Sequence, residues 1–247
     1  MPYTPRRRKG YANRGRLPAA RAERFACRNL HSAWACPIPQ YHDGMADFYF
    51  YEPSKGHRLP HDPFKAIVAP RPIGWISTCD PHGRANLAPY SFFNAICERP
   101  PMVMFSSGGL KDTVSNIQAT GEFVCNLVSR SLAEKMNRTS ASLPHGTSEF
   151  EFAELASAPS RIVTPPRVAE TPAALECRLV EIVRLRDIEG ATLDQYLTIG
   201  QVVGVHIDPA YLKDGVFDLL AAHPVQRAGY VADYTEATTG FQMMRPR

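Results

Sequence analysis

The chain has 247 residues, 44% hydrophobic and 21% charged, the balance of a globular protein with one large domain or two small ones. No run approaches the ~20 uninterrupted apolar residues of a membrane-spanning helix, which excludes a helical membrane protein. The 22 prolines argue against a helical bundle, and six cysteines in no even pattern argue against a disulfide framework and for a reducing cytoplasm.

The formal charge of +4 is unevenly placed. Residues 1–44 hold nine Lys or Arg, among them the run Arg6-Arg7-Arg8-Lys9, against only Glu23 and Asp43, while the other 203 residues hold 19 basic and 22 acidic ones. This leader has no hydrophobic periodicity and cannot bury a core, so it is expected to stay disordered, or to be an over-extended start, since the composition changes at Met45. Two other readings stand beside that one: an Arg-rich, acid-poor address, or an arm that attracts nucleic-acid phosphates. The apolar centre of a secretory signal is missing. Cys27, His31, Cys36 and His42 supply zinc-type ligands, but their spacing lacks the tight Cys pair with which finger and knuckle sites begin.

The domain proper is expected over residues 45–247. Ile73–Thr78 reads as a strand, ended by the turn residues Asp80-Pro81-His82-Gly83. Asn86–Phe93 reads as the returning strand, and Pro89 within it predicts an edge or a bulge. Pro101–Ser107 is a third strand, stopped by Gly108-Gly109. A helix over Lys111–Thr120 follows, with Gly121 as its C-cap. Glu122–Val128 alternates around Phe123, Cys125 and Leu127 as a strand should. Ser131–Asn137 reads as a second helix, and 140–172 as a long connection, ordered or mobile. Two long strands, Ala174–Ile188 and Tyr196–Ile207, flank the turn at Glu189-Gly190. Strands outnumber helices and no βαβ repeat appears, so a doubly wound parallel sheet is excluded in favour of an antiparallel, closed or nearly closed barrel with a few helices.

The usual chemical motifs are absent: G-x-G-x-x-G, the P-loop, the G-x-S-x-G elbow and H-E-x-x-H. What remains is three segments: Arg71-Pro-Ile-Gly-Trp-Ile-Ser-Thr78, Asn86-Leu-Ala-Pro-Tyr-Ser-Phe-Phe-Asn94 and Ser106-Ser-Gly-Gly-Leu-Lys-Asp-Thr113. In the last, a helix start with a Gly-Gly turn, hydroxyls and a lysine is suited to a phosphate, because free N–H groups, dipole and cation all favour an anion. Asp112 or Thr113 could equally serve as a helix cap alone.

Taken together, the segments resemble the flavin reductase family with the FMN-binding split-barrel fold, which includes flavoredoxin-like proteins and reductase components of two-component monooxygenases. The resemblance spans Met45 to the C-terminus and extends to Ile199-Gly-Gln-Val-Val-Gly-Val-His206 and Arg227-Ala-Gly-Tyr230. It implies a mainly β, antiparallel Greek-key split barrel with a few flanking helices, an FMN cofactor and a homodimer. It places Asn86, Ala88, Pro89, Tyr90 and Ser91 along the isoalloxazine ring, with Trp75, Ser77 and Thr78 beside it. It assigns Ser106, Ser107, Lys111, Asp112 and Thr113 to the phosphate, with Arg71 as a second cation and Arg227 and Tyr230 approaching from the tail. The implied activity is hydride transfer from NADH or NADPH to FMN, with a monooxygenase as a candidate partner; the alternative is an electron carrier that binds FMN without using a nicotinamide. Such chemistry needs no protein nucleophile, and no residue is assigned a catalytic role.

Plainer roles exist for several of these side chains. Trp75, Phe92 and Phe93 suit the core of any barrel, and Asn86 suits a turn. His145 and His223 read as solvated loop histidines, Glu149 reads as a cap or bridge with no functional role assigned, and Cys79, Cys97, Cys125 and Cys177 read mostly as small core residues.

Overall fold

The computed structural model describes residues 48–144 and 147–246. The expectations for residues 1–44, including the set Cys27, His31, Cys36 and His42, and for His145 lie outside the described residues. The backbone divides into the units Met1–Phe50 and Tyr51–Arg247, and every element below belongs to the second.

A short helix, α1 (Phe64–Ile67), precedes β1 (Arg71–Pro72), β2 (Gly74–Cys79), β3 (Ala85–Tyr90), β4 (Phe93–Glu98) and β5 (Pro101–Gly108). Next come α2 (Asp112–Thr120), β6 (Glu122–Asn126), α3 (Ala133–Arg138), α4 (Glu149–Phe152), β7 (Ser157–Ala158) and β8 (Arg167–Val168). The last elements are β9 (Ala173–Arg186), β10 (Thr192–Ile207), the short pair β11 (Leu212–Lys213) and β12 (Val216–Phe217), and β13 (Val225–Arg227) with β14 (Tyr234–Glu236).

Seven strands form one antiparallel sheet in the order β3-β2-β6-β9-β10-β5-β4. The sheet curls round a shared core: Ile76, Tyr90, Phe105, Phe123, Cys177 and Val202, from six different strands, pack together with Val114 and Ile117 of α2. Only a barrel brings those faces together, and α2 closes one end of it. The edge strands β3 and β4 are consecutive in the chain, joined by Ser91 and Phe92, so the split falls between them. The expected strand 86–93 is therefore two strands. Tyr90 ends one edge and Phe93 begins the other, while the Ser106 N–H donates to Phe92 O (2.9 Å) where the chain crosses.

β2 is buried on both faces. Ile76 points into the barrel, whereas Trp75 packs outward with Leu87, Leu132, Met136, Phe150 and Val168 in a second core beneath α3 and α4. The turns follow the sequence signals. Gly83 adopts φ +82° in the 80–84 reversal, and Gly121, at φ +73°, donates to Ile117 O (2.8 Å) to cap α2. At Gly200 a side chain is excluded by space, since a Cβ there would run into the Phe123 ring. Among the described cysteines, Cys79, Cys125 and Cys177 are buried and Cys97 is exposed, all as free thiols.

Of the two readings open for the connection 140–172, its described residues take the ordered one, with α4, β7 and β8. Side chains of the sheet fasten it. The buried Glu176 carboxylate accepts the N–H groups of Arg161 (2.7 Å), Ile162 (2.6 Å) and Val163 (2.9 Å), with His206 Nε2 at 2.5 Å. Glu122 holds the Thr164 N–H (2.8 Å), Asn126 holds the Val168 N–H (2.8 Å), and Ser77 Oγ donates to Pro166 O (2.5 Å).

Burial opposes ionisation of Glu176, but the Arg161 amide, the His206 ring and the two further amides outweigh it and hold the carboxyl at about 2. A carboxylate held below its ordinary pKa stabilises the fold fully above ~4.5 and loses that contribution as pH falls toward 2. Glu176→Ala is expected to cost about 3 kcal/mol near neutral pH, the scale for orphaning buried donors. Urea denaturation should show the gap to wild type narrowing between pH 5 and pH 3; a gap independent of pH would contradict the assignment.

Candidate functional site

Between β3, the start of α2 and the segment after α3 lies a groove of about 490 Å3. Its walls include Asn86, Ala88, Pro89 and Tyr90 from β3, Lys111, Asp112 and Thr113 from the start of α2, and Thr139 to Leu143 with Glu149 on the far side. Seven residues singled out from sequence thus meet in one concavity, although they come from two segments of the chain.

Local folding explains each position. As an edge strand, β3 leaves one side without a strand partner, and Ala88 and Pro89 add no long side chain to that wall. The start of α2 follows Gly108-Gly109, where Gly109 adopts φ +83° and donates to Asp194 O (3.0 Å), turning the chain toward the groove. Lys111 is the extended N-cap residue; it is exposed, and its Nζ makes no hydrogen bond or ion pair among the described residues. Asn86 Nδ2 donates to Thr113 Oγ1 (2.9 Å), tying strand to helix at the centre of the groove. The Tyr90 phenol sits at the same junction: burial pushes its pKa up, opposed by hydrogen bonds to Thr113 and Ser107.

Other expected site residues are placed elsewhere. Trp75, Ser77 and Thr78, expected beside the ring, are fully buried in β2 with their polar atoms engaged. Trp75 Nε1 donates to Thr139 Oγ1 (2.9 Å), Ser77 reaches Pro166, and Thr78 Oγ1 accepts from Asn116 (3.1 Å). They lie beneath the site, on the strand paired with its wall: Trp75 stands opposite Pro89 and Thr78 opposite Asn86, and Trp75 also reaches the far wall through Thr139. Ser106 Oγ accepts from Gln195 (2.6 Å), and the buried Ser107 donates to Gly109 O (3.1 Å), so both support the Gly-Gly turn. Ser91 lies at the split, outside the groove lining.

Arg71, expected as a second cation, is buried. It donates to the carbonyls of Lys65, Val68 and Ala228 and lies 5.7 Å from the Phe92 ring, which leaves it stapling α1 to the tail. Burial, and then Arg227, pull its pKa down. Arg227 is opposite Arg71 in the β1–β13 register, bonded to the Tyr230, Val231 and Asp233 carbonyls and stacked on Tyr234 at 4.6 Å. Neither arginine lines the groove. His223 is paired with Glu236 (2.6 Å), so it is not simply solvated.

A second crevice, of about 510 Å3, lies between α3 and the β13–β14 hairpin and includes Arg130, Glu134, Tyr234 and Glu236. It is slightly larger, yet none of the motif residues line it. Among the described residues no cluster of three His, Cys, Asp or Glu could hold a metal, and no helix is long and apolar enough to cross a membrane.

Sequence reasoning took Glu149 for a cap or bridge without a function, and gave the 139–143 wall no role. Glu149 Oε2 accepts the Leu87 N–H (3.0 Å), capping the open edge of β3 where no strand is available. Burial pushes its carboxyl above the ordinary range and Asp112 adds to that, only partly offset by the Leu87 amide. The one available signal was Phe150 and Ala153, three apart, which mark a short buried helix face. Because its folded pKa is raised, the ionised acid costs stability as pH climbs past the unfolded value. Glu149→Gln can still accept the Leu87 N–H. It should match wild type in Tm near pH 4 and exceed it at pH 8, and a lower Tm at both pH values would contradict this account.

A split antiparallel barrel, with a groove between its edge strand and the helix that closes one end, defines the class. The model of the flavin reductase like domain matches residues 68–221, so the chain belongs to that family. An uncharacterized protein of Aquifex aeolicus is 42% identical over 155 residues, 61% of this chain and 76% of that one. Nitrilotriacetate monooxygenase component B from Bacillus cereus superposes with a TM-score of 0.71 at 28% identity, covering 81% of this chain and all of the other. The 2-nitrobenzoate 2-nitroreductase of Pseudomonas fluorescens superposes with a TM-score of 0.66 at 26% identity, covering 74% and 88%.

Proposed function

We propose that the protein is a flavin-dependent oxidoreductase that binds FMN in the groove beside β3 and takes hydride from NADH or NADPH. The observation that carries this reading is the meeting of Asn86, Ala88, Pro89 and Tyr90 with Lys111 and Thr113 in one groove. Its 490 Å3 falls within the range of cofactor pockets, roughly 300–1,000 Å3. The groove also has two chemically different ends: a flat wall with little side-chain bulk at Ala88-Pro89, and an anion-binding end where a lysine meets a helix start.

Flavin, when bound, supplies the hydride acceptance and the storage of electrons that side chains lack. The chain has to bind, orient and exclude water. Lys111 Nζ and the first amides of α2 would hold the phosphate, while Asn86 fixes the Thr113 hydroxyl in place for it. Glu149 keeps β3 at the distance that leaves the ring wall open. No nucleophile or metal is called for, and the polar groups lining the groove are two carboxylates, a lysine, a tyrosine, the Asn86 amide and hydroxyls. The kinship with a monooxygenase component supports a role in supplying reduced flavin to a partner enzyme, and the family resemblance supports a homodimer.

The test is a titration of the protein with FMN, followed by flavin fluorescence. Saturable quenching together with oxidation of NADH or NADPH is the expected result. Binding with no nicotinamide oxidation would favour an electron carrier of the flavoredoxin kind, and no binding of FMN or FAD would overturn the reading. Lys111→Ala is expected to weaken FMN about 10- to 100-fold, the scale of one charge-assisted hydrogen bond, while leaving riboflavin affinity unchanged. An equal loss for both ligands would move the phosphate elsewhere.

A further inference from the structure

Beyond the groove, the described surface carries an apolar arm and an apolar cleft on the same chain. After β14 the Ala237 N–H donates to Pro224 O (3.1 Å), and the chain then runs on through Gly240 to Pro246. Along it Phe241 is 85% exposed, Met243 82% and Met244 88%. The cleft, of about 290 Å3, opens between β1, β4, β6 and β12 and is lined by Ile73, Phe93, Leu127, Leu175, Phe217 and Leu219. Leu219 on its rim is itself half exposed. The arm starts at this rim, since Pro224 both lines the cleft and holds Ala237, and Gly240 lies beside Leu220. It passes its own cleft without entering.

We propose that residues 238–246 of one copy seat Phe241 and Met243 in this cleft of a second copy, which returns its own arm in the same way. Three features favour a second copy as the occupant. Both surfaces belong to one chain, so a twofold exchange covers each of them in a single closed assembly. An extended arm of this length reaches about 30 Å, far enough to cross a twofold axis that runs near the rim. The area is also sufficient. Side chains of this size bury about 150–200 Å2 each, so two arms of two anchors, with the walls they cover, come to roughly 1,200–1,600 Å2, within the range of stable interfaces. Phenylalanine and methionine are suited to such a role, the ring as a rigid anchor and the thioether as a filler of irregular space. The inference does not depend on the flavin reading.

Sedimentation velocity of the full chain over a dilution series tests it. Wild type should be a dimer at micromolar concentration, and a variant ending after Ala237 should dissociate at concentrations at least ~100-fold higher. The direction of docking is read by mixing two proteins, each with Cys27→Ser, Cys36→Ser and Cys97→Ser, one carrying Met243→Cys and the other Leu219→Cys, beside a third protein that carries both new cysteines. A disulfide-linked heterodimer on mild oxidation is expected. A monomeric wild type, an unchanged dimer after truncation, or a crosslink formed only within single chains carrying both cysteines would each overturn the proposal. The last result would mean that the arm folds back on its own cleft.

Discussion

The structure turns on β2, the strand buried on both faces. Ile76 belongs to the barrel interior, while Trp75, one residue earlier, anchors the outer core under α3 and α4. The indole also donates to Thr139, whose hydroxyl donates in turn to Met136 O (2.7 Å) and whose residue begins the far wall of the groove. One side chain therefore couples barrel packing to groove shape. Truncating a tryptophan in such a position removes a large buried contact, at a cost of about 3–5 kcal/mol in comparable cores, and releases the wall as well.

This arrangement explains which parts of the molecule could be read in advance. The barrel was legible because its evidence is local: alternation in the strands, Gly83 and Gly121 at positive φ, and Pro89 on an edge. Lys111, Thr113, Asn86 and the Ala88–Tyr90 run were legible as well, since they sit in two compact segments whose chemistry suits an anion and a flat ring. The connection 140–172 was not. Its order comes from Glu176, Glu122, Asn126 and Ser77, donors and acceptors that are distant in sequence and show no local periodicity. Trp75, Ser77 and Thr78 do run alongside the β3 wall, but the sequence did not show that their side chains are buried beneath it. A motif written along a strand does not say which of two buried faces each residue takes, and here both faces are interior.

The two arginines show the same limit for charge. Arg71 and Arg227 are cations near the expected cofactor region, yet each donates to backbone carbonyls, and their task is to hold α1, β13 and the tail together. Lys111 differs because it stands at a helix start with its ammonium group exposed. In the groove, location relative to backbone dipoles decides the function of a positive charge more than its presence does.

An open barrel exposes strand edges, and an exposed edge can recruit another chain. On β3 the Leu87 N–H is consumed by Glu149, and Pro89, two residues along on the same side, has no N–H to offer. That side of the strand thus presents carbonyls with no donors between them, and a second β-strand needs both to pair. The feature that keeps the groove accessible to a small ligand also makes the seam a poor template for aggregation. Along β3 the barrel can remain split without that edge becoming adhesive.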